Sequence, residues 1–173
     1  MGIPIMGFIA PSGTGKTTLM EQVIAKIAAL GYRVAAIKHG HHSAEPDTPG
    51  KDSYRFRQAG AETVLFVGPE RWFMIQERDR RVLKEHLHRL QDHDMILIEG
   101  DWSGTHPKIA VHRKATPIDW IDKTSNVVAI ASDAALEEET LCHLDLPRLP
   151  LQEIDTIVQF ILRYSLIATA PHA

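Results

Sequence analysis

Cysteine is almost missing from this chain: Cys142 stands alone, which excludes an intramolecular disulfide and a thiolate metal cage within one chain. Long apolar runs are missing too. Nothing approaches the ~20 residues that a membrane-spanning helix needs, and the N-terminus lacks a basic stretch followed by a long apolar one. These absences lead to the expectation of a cytoplasmic protein without a membrane partner. Nor is there an excess of positive charge. The chain has 19 Lys and Arg against 22 Asp and Glu, a net charge of −3, which argues against general nucleic-acid binding. There is no internal repeat, no low-complexity tract, no Arg-rich lid segment and no guanine-reading NKxD pattern. What remains is an ordinary globular composition, 44% apolar and 24% charged over 173 residues. That length suffices for one core without staples, so residues 1–173 are read as a single domain.

The stretch around which the chain is organised runs from Met6 to Leu19, where an apolar run enters a loop of Pro11, Ser12, Gly13, Thr14 and Gly15 and closes with Lys16, Thr17 and Thr18. Gly13 and Gly15 let the backbone curl so that its N–H groups form a nest for phosphate oxygens at a helix N-terminus. In such a loop Lys16 reaches the β- and γ-phosphates and the Thr17 hydroxyl ligates Mg²⁺. The pattern GxxxxGK[ST] opens here on Ala10 in place of glycine, a small residue where the strand ends. Charge follows function. Residues 1–60 carry seven Lys or Arg against four Asp or Glu, whereas residues 115–173 carry three against nine, so the phosphate-binding end is the basic end.

Periodicity organises the rest. Ile3 to Ala10 reads as a buried parallel strand, Lys16 to Leu30 as a helix stopped by Gly31, and Arg33 to Lys38 as a second strand, together a βαβ unit. A polar segment from His39 to Lys51 follows, at the strand end where open α/β sheets bind ligands. Asp52 reads as the N-cap of a short helix through Gln58. Thr63 to Val67 and Trp72 to Gln76 carry a hairpin signal around Gly68–Arg71, so antiparallel strands interrupt the parallel pattern. Arg80 to Leu90 reads as an amphipathic helix with Leu83, Leu87 and Leu90 on one face. Met95 to Ile98 is a buried strand ending in Glu99, Lys108 to His112 an edge strand, Val127 to Ile130 a core strand, and Leu151 to Tyr164 the closing helix. The fold class is α/β of the P-loop NTPase type, a mainly parallel sheet flanked by helices with a β-hairpin insertion.

Glu99 is the second chemical signal, because enzymes with this loop hold an acidic residue at a strand end to order water or Mg²⁺. A helix cap or a structural ion pair is the alternative. His39, His41 and His42 with Glu45 and Asp47 suit either a transition metal or an anionic ligand, or are simply solvated; their spacing fits no standard zinc pattern. Lys51, Arg55 and Arg57 around Asp52 suit a second anionic ligand or are ordinary surface charge. Asp133, after its strand, is a candidate acceptor from a guanine edge.

The loop Ser12–Leu19, the segment Ile37-Lys38-His39-Gly40-His41-His42, the run Pro49-Gly50-Lys51-Asp52-Ser53-Tyr54-Arg55 with Ala59-Gly60-Ala61, and Ile96–Gly100 followed by Pro107-Lys108-Ile109 resemble molybdopterin-guanine dinucleotide biosynthesis protein B, the MobB family. The resemblance extends from the N-terminus to about Arg113, and more loosely through Ala129–Asp133. It implies a GTP-binding protein with weak GTPase activity, homodimeric, using Mg²⁺, that assists a MobA-type guanylyltransferase in attaching GMP to molybdopterin. On this reading Lys16 and Glu99 are catalytic and Thr17 and Glu99 face the metal. Ser12, Gly13, Thr14, Gly15, Thr18, His39, His41, His42, Lys51, Asp52 and Asp133 line the ligand. Asp101-Trp102 stands where the family usually has an aromatic residue and lysine. Two other readings compete: a metal-delivery GTPase with cargo on the histidine loop, and a small-molecule kinase in which Glu99 or Asp52 positions an acceptor hydroxyl.

Overall fold

The computed structural model describes residues 3–40, 44–77, 83–114, 116–133 and 144–169. In chain order the elements are β1 (Ile5–Ile9), α1 (Lys16–Ala29), β2 (Val34–Lys38), α2 (Asp52–Gln58), β3 (Thr63–Val67), β4 (Trp72–Gln76), α3 (Lys84–Leu87), a 3₁₀ turn (His88–Leu90), β5 (Met95–Glu99), β6 (Lys108–His112), β7 (Val127–Ser132), β8 (Arg148–Pro150) and α4 (Ile154–Thr169). They form two compact units, residues 1–40 with 89–173, and residues 41–88.

The larger unit is built on a six-stranded sheet in the order β2-β5-β1-β6-β7-β8, every described pair parallel. Strands buried on both faces have no use for alternation, which is why β1 and β5 are near-continuous apolar runs. Successive side chains still point to opposite faces. Phe8 joins Met6, Leu97, Ile109 and Val111 against Leu19, Val23 and Ile27 of α1 and Ile157, Val158 and Ile161 of α4. Ile9 faces the other way, into a cluster with Ala110, Ile121, Ile130 and Leu144. Trp102 packs on that second cluster, edge-to-face with Trp120 at 5.1 Å between ring centroids.

Lys108 to His112 is a correction. The sequence reads as an edge strand, but β6 lies inside the sheet between β1 and β7, with all five residues buried. The alternation arises because its two polar ends are satisfied internally. Lys108 is fully buried and its ammonium donates to the carbonyls of Gly104, His106 (3.3 Å) and Ser125 (2.9 Å). The His112 ring nitrogens lie 2.9 Å from the Ser132 hydroxyl and 3.0 Å from the Thr116 carbonyl. Buried polar groups with complete hydrogen bonding carry no desolvation penalty large enough to expel them.

The connection from β5 to β6 is unusual. Parallel crossovers normally take a dozen or more residues and a helix, yet residues 100–107 suffice here because β6 starts where β5 ends: Glu99 pairs with Phe8 and Lys108 with Gly7. The crossing chain presses directly on β1. A Cβ at Gly7 would lie 2.7 Å from His106 Nε2, so only glycine leaves room. The Gly7 amide donates to the Pro107 carbonyl at 2.8 Å.

Residues 41–88 hold α2 and the antiparallel pair β3–β4, registered Thr63 to Gln76 and Val67 to Trp72. The helix expected over Arg80 to Leu90 is shorter. Lys84–Leu87 is α-helical and His88–Leu90 is 3₁₀, with no side-chain N-cap, while Arg80 and Arg81 lie outside the described residues. Asp52 is the first residue of α2, with Lys51 in the cap position. The short edge strand β8 was not read from the sequence. Pro147 and Pro150 hide it, and prolines of this kind are tolerated at a sheet edge.

Candidate functional site

The phosphate loop leaves β1 and enters α1 through two left-handed glycines, Gly13 at φ 80° and Gly15 at φ 83°. Thr14 is buried and its hydroxyl donates to the Pro11 carbonyl at 3.0 Å, closing the loop on itself. Leu19 N–H donates to Gly15 O at 3.0 Å, making Gly15 the N-cap of α1. Ser12, Gly13, Thr17 and Thr18 stand exposed around this nest.

Glu99 lies beside the loop because β5 is the hydrogen-bonded neighbour of β1. Its carboxylate accepts from the Thr17 hydroxyl at 3.1 Å to each oxygen and lies 3.3 Å from Lys16 Nζ and 3.4 Å from Lys38 Nζ. Burial pushes the Glu99 carboxyl up, but the charge and hydrogen bond of Lys16, with Thr17 and Lys38, outweigh it and hold it below its ordinary value. The structure thus brings together the three residues that sequence reasoning assigned to phosphate, metal and water. Thr17 and Glu99 present hard oxygen donors, the chemistry Mg²⁺ takes when phosphate oxygens and water complete its shell. Among the described residues no group of three or more His, Cys, Asp or Glu side chains is arranged to hold a metal by itself.

Asp133 sits at the end of β7. Its Oδ1 accepts from the Lys114 amide at 2.8 Å and its Oδ2 from Arg113 Nη1 at 3.0 Å. Burial raises the Asp133 carboxyl, while Lys114 and Arg113 lower it further, leaving it below the usual range. Arg113 is the residue that sequence reasoning missed. Its Nε donates to the Thr14 carbonyl at 2.9 Å, within the phosphate loop. The available signal was position, since Arg113 directly follows a parallel strand at the ligand-binding edge.

His39 continues β2, its amide donating to Glu99 O at 2.8 Å. The Asp101 carboxylate lies between His39 Nδ1 at 3.8 Å and His106 Nδ1 at 3.7 Å. His41 and His42 lie outside the described residues. In the smaller unit Lys51, Asp52 and Arg55 are exposed, but Arg57 leaves the group expected to receive an anion. It is buried, with Nη2 2.5 Å from Glu45, Nε 3.8 Å from Asp47 and Nη1 bonded to Glu77. Glu45 and Asp47, weighed above as metal ligands, therefore face a guanidinium.

A family model described as molybdopterin guanine dinucleotide synthesis protein B matches residues 5–133. The molybdopterin-guanine dinucleotide biosynthesis adapter protein of Haemophilus influenzae is 38% identical over 154 residues, covering 86% of this chain and 84% of that protein. The protein of the same name from Escherichia coli is 34% identical over 172 residues, covering 94% and 93%. The crystal structure of Bacillus subtilis MobB superposes with a TM-score of 0.75 at 25% identity, over 93% of this chain and 97% of that one. A P-loop whose lysine and threonine meet the carboxylate of the neighbouring strand, in a chain so closely matched along its length, belongs to the molybdopterin guanine dinucleotide synthesis protein B family.

Proposed function

We propose that this chain is a GTP-binding adapter with slow GTPase activity that assists a MobA-type guanylyltransferase in attaching GMP to molybdopterin. The observation that carries the reading is the convergence of Lys16, Thr17 and Glu99 at 3.1–3.3 Å beneath a loop with two left-handed glycines. Glu99 lies 3.3 Å from Lys16 Nζ. Lys16 would reach the β- and γ-oxygens of a triphosphate, and Glu99 would orient water beside them. Mg²⁺ held by Thr17, with Glu99 nearby, supplies charge neutralisation on the phosphates when bound. Ser12, Gly13, Thr14, Gly15 and Thr18 cradle the phosphates. His39, His41, His42, Lys51 and Asp52 serve the pterin side, where imidazole and ammonium donors suit a phosphate-bearing ligand. No described helix is long and apolar enough to cross a membrane, and we take the cytoplasm as the site of action.

The active species on this reading is a homodimer. Leu65, Val67 and Trp72 of the hairpin are 57%, 73% and 68% exposed, beside exposed Phe66 and Met74, a density of surface hydrophobics that a monomer rarely leaves uncovered. A two-stranded hairpin also offers unpaired edges to a second copy. The decisive experiment is calorimetric titration with GTP and ATP, with and without molybdopterin. Preferential GTP binding that is lost in Lys16→Ala, with native circular dichroism retained, is expected. Unchanged triphosphate affinity in that variant would defeat the reading.

A further inference from the structure

Arg113 grips the phosphate loop from outside. Its Nε donates to Thr14 O at 2.9 Å, and its Nη2 lies 3.0 Å from the point where a Cβ on Gly15 would stand. A trans peptide is planar, with its C=O and the following N–H pointing in opposite directions. The carbonyl that Arg113 holds therefore belongs to the same peptide as the Gly15 N–H, one of the donors such loops turn toward phosphate. A cation on the carbonyl both fixes the plane of that peptide and polarises it, strengthening the donor on its far side.

The guanidinium is itself held. Its Nη1 donates to Asp133 Oδ2 at 3.0 Å, and Asp133 is anchored through Oδ1 by the Lys114 amide at 2.8 Å. The ends of β6 and β7 are thereby tied to the loop after β1. Each Asp133 oxygen already accepts a hydrogen bond from the protein, so the carboxylate has a role in holding Arg113 that needs no base. The Arg113 side chain remains 42% exposed, on the wet lip of the loop.

We propose that Arg113 is a positioning residue that orients and polarises the Thr14–Gly15 peptide for phosphate, and that Asp133 acts through Arg113, independently of the base. The proposal rests on the phosphate-loop reading above, and its consequence is base-blind: the pair matters equally for GTP, ATP and a bare polyphosphate.

The test compares the parent with Arg113→Ala, Arg113→Lys and Asp133→Asn. Calorimetric titrations use GTP, ATP and inorganic tripolyphosphate, and the Gly15 amide resonance is followed by NMR in the unliganded proteins. Arg113→Ala should weaken all three ligands by the same factor, roughly tenfold, as for a lost charge-assisted contact. Arg113→Lys should fall between, because lysine lacks the planar fork that reaches Thr14 O and Asp133 together. Asp133→Asn should weaken the three ligands equally and by less. The Gly15 amide proton should move upfield in Arg113→Ala, a change that general loosening with intact circular dichroism would not confine to this peptide. Tripolyphosphate affinity unchanged in Arg113→Ala, or a Gly15 resonance that does not move, overturns the proposal. Loss of GTP binding alone in Asp133→Asn also overturns it and makes Asp133 a reader of the base. Failure of the GTP reading looks different: the parent then binds ATP as well as GTP, or neither, while the amide shift still reports on Arg113.

Discussion

Glu99 faces two ammonium groups and a hydroxyl, so its charge has two separable consequences. For turnover, Glu99→Gln is expected to leave GTP affinity within a few-fold and to slow hydrolysis by about 10²-fold or more; equal single-turnover rates in variant and parent would return Glu99 to a structural role. For stability, its folded pKa is depressed below 4.5, so the contribution of the Lys16–Glu99–Lys38 cluster is fully present above that value and is lost as pH falls through the lower folded one. Lys16, Thr17 and Glu99 were legible in the sequence because each sits at a fixed offset from an apolar strand or a glycine pair. Arg113 was not, since an arginine after a strand is ordinary until the register of β1, β6 and β7 sets it beside Thr14. The position of Arg57 was equally hidden, because Glu45, Asp47 and Glu77 are far apart in the chain and meet only in the folded unit.

Among the elements, the short crossover over β1 is the least tolerant. Gly7→Ala drives a methyl to within 2.7 Å of the His106 ring, itself confined by Gly104, and should destabilise by about 1–3 kcal/mol through overpacking, read from the urea midpoint at constant m-value. The hairpin β3–β4 gives the opposite kind of expectation. Val67→Lys with Trp72→Lys alters exposed positions, so it should leave the fold intact while shifting light scattering from a dimer to the monomer mass of 19.4 kDa. A parent that already scatters as 19.4 kDa at micromolar concentration would remove the homodimer. The hairpin was legible because two β-type runs flank a Gly-Pro turn. The interior position of β6 was not, because periodicity reports which faces are apolar and cannot report that Lys108 finds three carbonyls inside the sheet.

At the scale of the whole molecule, acid should act through a buried histidine as well as through carboxylates. His106 is buried, and burial, reinforced by Lys108 and His39 against the opposing charge of Asp101, depresses its pKa below 6.5. The unfolded chain therefore binds this proton first. The resulting stability is fully present above 6.5 and is lost as pH falls from there through the lower folded value. Urea midpoints falling from about pH 7 to about pH 5 in the parent, and flatter in His106→Gln, are expected; identical profiles would exclude His106 as the source. The parallel α/β class of the chain was legible from the alternation of apolar runs and helical periods, but the strand order was not, since it depends on which distant segments pair. That order has a consequence for synthesis. The central strand β1 is the first to be made, and neither of its neighbours exists until residues 95–112 have been translated. At about 5–20 residues per second the ribosome leaves this apolar strand with both edges open for roughly 5–20 s. The strand that leads into the phosphate loop is thus translated well before either strand that flanks it, and it spends that interval without the neighbours that bury it.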